Sequence, residues 1–253
     1  MRLRDGLNTE SGYQEIISLN DEYIVEKLDE IKKLNEYELK GIQLHKRPNL
    51  EAIRYNLDDI FKYRLENIIT SYSIGKTMSE LIVGYNTIIP MMKDCWRKSN
   101  GYIQMVWLLS MGIMLEAEKD VFIQLAECTK KDNPNDYLID FLIHSRIPAW
   151  EVKSSQFFSA RPYLFLEQVI AVAQTGALEQ AKTLLLEYLK KKWYRGHSDC
   201  GWYNDHKSEW AIHSGYWSFE SGALVKILGL DDSDWQDLSY YPYDMVHYKD
   251  SNK

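Results

Sequence analysis

Six residues in one stretch carry donor atoms that zinc accepts: His197, Asp199, Cys200, Asp205, His206 and His213. A zinc site needs three or four such donors converging on one point. The spacings here are not those of a finger, and no His-Glu-x-x-His pair is present. His206 and His213 share a helix face only if the helix begins before His206. The plainer expectation is that His213 is hydrogen-bonded at a helix start and that the chain holds no metal or other cofactor.

Glu209 and Glu220 stand among Trp202, Tyr203, Trp210, Tyr216 and Trp217. Two carboxylates between aromatic platforms suggest a glycosidase cleft with an acid–base pair. A packed helix with a solvated face has the same composition, and no fixed motif favours catalysis. The patterns G-x-S-x-G, G-x-x-x-x-G-K-[ST] and G-x-G-x-x-G do not occur. Ser73 and Ser214 lie in no recognisable nucleophile context. An enzyme is not expected.

The elements that position these residues are helical. Ile24, Leu28 and Ile31 fall at i, i+4 and i+7 after Asn20, which reads as an N-cap, and Gly41 is the natural stop. Leu50, Ile53, Leu57, Ile60, Phe61, Leu65, Ile68 and Tyr72 form the next stripe, and Ile74, Met78, Leu81, Tyr85, Ile88 and Met92 a third. Gly75 either separates those two helices or lies within one bent helix. Residues 102–119 and 121–130 continue the pattern. Asn133-Pro134 resembles an N-cap and first helical position opening a short helix that closes near His144. Residues 145–162, with Pro148 and Pro162, read as a long connection. Residues 163–175 and 177–193 form an αα-hairpin around Gly176, with Leu178, Ala181, Leu185 and Leu189 inward.

No sustained period-two run occurs, and neither Asp5-Gly6 nor Asn100-Gly101 lies between two such runs as a hairpin turn would, so the expected fold is all-α, a two-part helical bundle of antiparallel helix pairs. A boundary near 125–133 divides it into a helical region over 1–130 and another over 131–253. No second copy of ALEQAKTLLLEYL appears at a fixed period, so a repeat array is weakly supported.

Within residues 218–228, Phe219, Leu224 and Ile227 lie on or near one face, Gly229 suits a left-handed cap, and Leu230 can fold back. Gly222 costs about 1 kcal/mol relative to alanine, and close helix approach explains it. Asp231, Asp232, Asp234 or Ser233 is expected to cap a further short helix, with the remaining acids in solvent.

Charge is uneven along the chain. From Gly201 onward nine acids face four bases, a net −5 of the formal −7. An acidic surface rich in tyrosine and tryptophan suits a basic protein partner better than nucleic acid or an anionic membrane. Asp231, Asp232, Asp234, Trp235, Asp237, Tyr240, Tyr241, Tyr243 and Asp244 are the candidate partner-binding residues. Two readings of them stay open: a recognition surface, or an acidic loop whose tyrosines pack the C-terminal segment. Three widely spaced cysteines without C-x-x-C read as reduced thiols. The first residues have no signal-peptide core, and no apolar stretch is long enough to span a bilayer. A cytoplasmic location is expected.

HSGYWSFESGALVKILGLDDSDW (213–235) followed by YYPYDMV (240–246) is similar to the C-terminal part of the PoNe-immunity (PoNi) family, bacterial proteins that protect against PoNe-type DNase toxins. TSYSIGKTMSELIVGYNTIIPMMKDCW (70–96) resembles the family's N-terminal part. Ser221-Gly222 departs from it, standing where alanine-like residues are expected. The resemblance implies an immunity protein that binds a cognate basic nuclease toxin and occludes its active site or DNA-binding groove, without catalysis. It carries over no contact residues. The competing readings are a helical scaffold or adaptor, and an α/α carbohydrate-active enzyme using Glu209 and Glu220.

Overall fold

Helices account for all the regular structure in the computed structural model, which describes residues 2–249; no strand occurs among the described residues. Asp250 and Lys253 of the acidic tail's charge count lie outside the described residues. The chain divides into two compact units. One comprises residues up to Trp96 together with Asn204–Gly215, and the other Arg97–Tyr203 together with the residues from Tyr216 on.

In the first unit α1 (Glu10–Leu39) and α2 (Asn49–Ile74) form a hairpin. Its antiparallel register is fixed by Asn20 against Glu66 and Asn67 (2.9 and 3.0 Å), Lys27 against Asp59 (2.8 Å) and Asn49 against Glu38 (3.1 Å). Asn20 is therefore a buried mid-helix residue, not an N-cap. Thr9 caps α1 instead, its hydroxyl accepting the Gly12 N–H at 3.0 Å, which places the cap eleven residues before Asn20. Gly75 adopts φ 98° and ends α2, so α3 (Met78–Ile88) is separate. A reciprocal cap between Thr77 and Glu80 opens α3. Not every residue of the α2 stripe is covered: Leu50 is 63% exposed. The unit continues through a 3₁₀ turn into α4 (Met92–Cys95).

The second unit is built on α5 (Lys98–Met114), whose residues Met105, Val106, Leu108, Leu109, Met111 and Met114 are completely buried. A helix apolar on most sides belongs in a core. Around it lie α6 (Lys119–Lys131), α7 (Tyr137–Arg146), a short α8 (Ala160–Tyr163), α9 (Phe165–Gln174), α10 (Leu178–Glu187) and α11 (Tyr194–Gly196). A wide π turn, Tyr188–Trp193, joins the last two. As expected, α9 and α10 form a hairpin around Gly176, with Ala181, Leu185 and Leu189 buried, although Leu178 at the start of α10 is 40% exposed. Residues 147–159 form the long connection. The cap of α7 is Asp136, not Asn133, because Asn135 takes a left-handed turn (φ 52°) that displaces the helix start.

Helix α12 (Phe219–Leu228) is buried along most of its length, and α13 (Tyr243–Val246) follows. A Cβ added at Gly222 would come within 2.5 Å of Met114 Sδ, 2.8 Å of Val246 Cγ2 and 2.9 Å of Pro242 Cγ. Close helix approach is thus the reason for this glycine. A Gly222→Ala chain gains helix propensity, about 1 kcal/mol, but overpacks three neighbours, which typically costs about 1–3 kcal/mol. The expected outcome is net destabilisation of about 1 kcal/mol by urea unfolding; a stabilised variant would show that these neighbours yield freely.

Candidate protein-binding surface

The acidic segment is a chain of turns, and no helix intervenes between Gly229 and Tyr243. Gly229 takes the left-handed cap (φ 65°), and the Leu230 N–H returns to Val225 O at 3.2 Å. The Asp231 carboxylate accepts the Ser233 N–H at 3.1 Å, so it caps a local turn where a helix was expected. Successive N–H donors of Trp235, Leu238 and Tyr241 reach the carbonyls of Asp232, Trp235 and Leu238.

Three of the nine candidate residues are turned inward. Trp235 and Tyr241 are each 2% exposed and meet edge to face at 5.2 Å. Asp232 is buried too, accepting the Tyr241 hydroxyl at 2.5 Å and contacting His247 Nε2 at 3.0 Å. These side chains fix the segment's shape. Tyr240 (φ 68°) offers its carbonyl to the Ser218 N–H at 2.7 Å, and its half-buried ring stacks on Tyr194 at 5.4 Å. Tyr243, also half-buried, lies 4.1 Å from the His247 ring. Asp231, Asp234, Asp237 and Asp244 face solvent. Ser233 holds the Asp231 carboxyl below its ordinary range, and Lys182, at 2.6 Å, does the same for Asp234. The outward face is thus acidic and braced from beneath by aromatic packing.

The zinc-type residues separate into different settings. His197 lies inside the second unit; its Nδ1 faces the Trp193 carbonyl at 2.8 Å and its Nε2 the Tyr163 hydroxyl at 2.9 Å. A carbonyl only accepts, so Nδ1 carries the proton and Nε2 accepts from Tyr163. Burial pushes this imidazole down to about 4, keeping it neutral. Cys200 is half-buried, and burial pushes its thiol up to about 11. His213 belongs to the first unit, where Nδ1 meets Asp205 at 2.6 Å and Nε2 meets Asp5 at 2.8 Å. It sits in chain outside any helix, with five residues between it and α12, not at a helix start. Burial opposes its charge, but the hydrogen bonds its ring donates to Asp205 and Asp5 outweigh that and raise it to about 9. Among the described residues no group of three or more His, Cys, Asp or Glu is arranged to hold a metal.

The two glutamates also part. Glu209 is exposed in the first unit, whereas Glu220 is fully buried in the second. Tyr188 and Ser218 donate to Glu220 Oε1 at 2.9 and 2.8 Å. Burial nevertheless pushes its carboxyl up to about 7. Sealed from solvent, Glu220 offers no sugar an acid–base group.

Two features escaped the sequence reading. Trp210, grouped there with packing aromatics, is 79% exposed. Asp136, not singled out, is the best-connected buried carboxylate of the second unit, accepting from Ile139 N, Phe158 N and the Tyr102 hydroxyl, each at 2.8 Å. A hydrophobic run two residues after Asn133-Pro134 was the available signal for a later cap.

No helix among the described residues is long and apolar enough to cross a membrane. The fold is similar to the crystal structure of protein PA2201 from Pseudomonas aeruginosa, with a TM-score of 0.63, 17% identity and 98% of each chain covered. A comparison with curated proteins gives no match. The sequence matches two family descriptions, "PoNe immunity protein (PoNi), N-terminal" over residues 4–127 and "PoNe immunity proteins (PoNi), C-terminal" over residues 134–245. Together these matches span nearly the whole chain, which belongs to the PoNe immunity protein family.

Proposed function

We infer that this chain is a cytoplasmic immunity protein that binds a cognate interbacterial DNase toxin and occludes its active site or DNA-binding groove. Membership of the family, over both of its parts, is the observation that carries this reading. The surface offered to the toxin is Asp231, Asp234, Asp237 and Asp244 with the half-buried Tyr240 and Tyr243. Asp232, Trp235 and Tyr241 hold that surface in place from inside. A nuclease groove must be basic to hold phosphates, so exposed carboxylates steer its approach and compete for the same cations. Inhibition then requires no chemistry from this chain.

Co-expression with the adjacent toxin gene tests the reading: survival and a co-purifying complex support it, and death regardless of this chain counts against it. The surface is tested by changing Asp231, Asp234, Asp237 and Asp244 together to asparagine. At low salt the association rate is expected to fall about tenfold or more. Stability should change by less than about 1 kcal/mol, because these side chains are exposed. An unchanged association rate would move the contact elsewhere, first to the charged outer face of α1.

A further inference from the structure

The second unit has a concave groove whose charge runs against that of the chain. It encloses about 910 Å³ between the turn leading into α9, the first two turns of α9, and the end of the π turn. Its apolar floor is formed by Leu164, which is 51% exposed, and by Phe165 and Ala171. The charged lining residues are Arg161, Lys192 and Arg195 against Glu167. Lys192 also pairs with Glu187 at 3.5 Å, so Arg161, Lys192 and Arg195 against Glu167 and Glu187 leave the rim at net +1, still the reverse of a chain of formal charge −7.

The groove is built rather than incidental. Phe165 stacks on Tyr188 with ring planes 7° apart, and Lys192 Nζ lies 4.5 Å above the Phe165 ring. The π turn brings Lys192 over that ring, and such turns recur at functional sites. Arg161 is fixed by the Arg195 carbonyl at 2.7 Å and the Ser198 hydroxyl at 2.8 Å. At the far end a Cβ on Gly196 would fall 2.3 Å from Pro162 Cβ, so only glycine permits the walls to meet there. The exposed Arg195 guanidinium has no carboxylate or carbonyl partner among the described residues.

We propose that this groove is a docking site for an acidic segment of a partner protein, one that seats a leucine or phenylalanine on Leu164, Phe165 and Ala171 while its carboxylates meet Lys192 and Arg195. Charge complementarity selects an acidic occupant, and the apolar floor distinguishes a peptide from a simple polyanion. The site is independent of the acidic face assigned to toxin binding, and it requires the opposite charge in its partner.

The probe is a fluorescein-labelled dodecapeptide alternating Asp and Glu with Leu and Phe, titrated with the full chain by fluorescence polarisation. Controls are polyglutamate, the same peptide with Lys at every acidic position, and a labelled dT12 oligonucleotide. The acidic apolar peptide is expected to bind and the lysine peptide not to bind. Arg195→Glu and Leu164→Asp should each weaken binding about tenfold or more without changing the melting temperature. No binding of the acidic apolar peptide, binding by either variant as tight as by the wild-type chain, or binding no better than that of polyglutamate or dT12 would each overturn the proposal. Preference for dT12 would point to nucleic acid instead.

Discussion

Exchanging His213 for alanine is expected to destabilise the first unit by about 3 kcal/mol at pH 7, the scale at which breaking a buried ion pair leaves an uncompensated charge. His213 is 3% exposed and stands between Asp5 at 2.8 Å and Asp205 at 2.6 Å. Without it, two nearly buried carboxylates face each other across a cavity. The pH dependence identifies the cause. The ring's pKa rises from 6.5 to about 9 on folding, so the native state holds the proton more tightly than the unfolded chain does. That stabilisation is fully present below pH 6.5 and is lost as pH rises through 9. Wild-type stability should therefore decline across this window, by about 3 kcal/mol from the linkage relation. The alanine variant should not show that decline. Urea unfolding at pH 5 to 9, with hydrogen exchange followed over 204–215, measures both. Parallel pH profiles in the two proteins would show that the clamp contributes nothing through charge.

Asp136→Ala is expected to lower stability by a comparable amount in the second unit. The cap of α7 alone is worth about 1 kcal/mol, and leaving a buried donor unsatisfied costs about 1–3 kcal/mol. Removing the carboxylate strands the Phe158 N–H and the Tyr102 hydroxyl together. A total near 3 kcal/mol corresponds to a fall in melting temperature of roughly 6–12 °C for a domain of this size. Asp136→Asn, which keeps one acceptor oxygen, should recover about half of the loss. A melting temperature within 2 °C of wild type in the alanine variant would contradict this account. Burial pushes the Asp136 carboxyl up, but its three donors stabilise the charged form and limit that rise.

Helix content and several helix ends were legible because they depend on local chemistry. Gly41 and Gly229 follow helix ends by tolerating positive φ, and the 3.6-residue stripes of α2 and α3 need only a covered face. Asn20 misled because asparagine serves equally as a cap and as a buried donor, and only the arrival of Glu66 and Asn67 on α2 decides between them. Residues 231–237 misled for the same reason. Their acid content was read as surface, yet Asp232 is taken inside by Tyr241 and His247, nine and fifteen residues further on. Periodicity cannot register a partner at that separation. The family resemblance was readable because WSFESGALVKILGL preserves packing demands in sequence order. The basic groove was not, because its cations come from segments some thirty residues apart.

The first unit's last piece, Asn204–Gly215, lies beyond more than a hundred residues of the second. On the ribosome, Asp5 and Ser73 are exposed long before His213 and Ser214, which bond to them, are made. At roughly 5–20 residues per second that interval is on the order of ten seconds. The α1–α2 hairpin can form during it, but the His213 clamp closes only near the end of synthesis. A nascent chain stalled before residue 204 therefore carries an incomplete first unit, and protection against a toxin by such fragments is not expected.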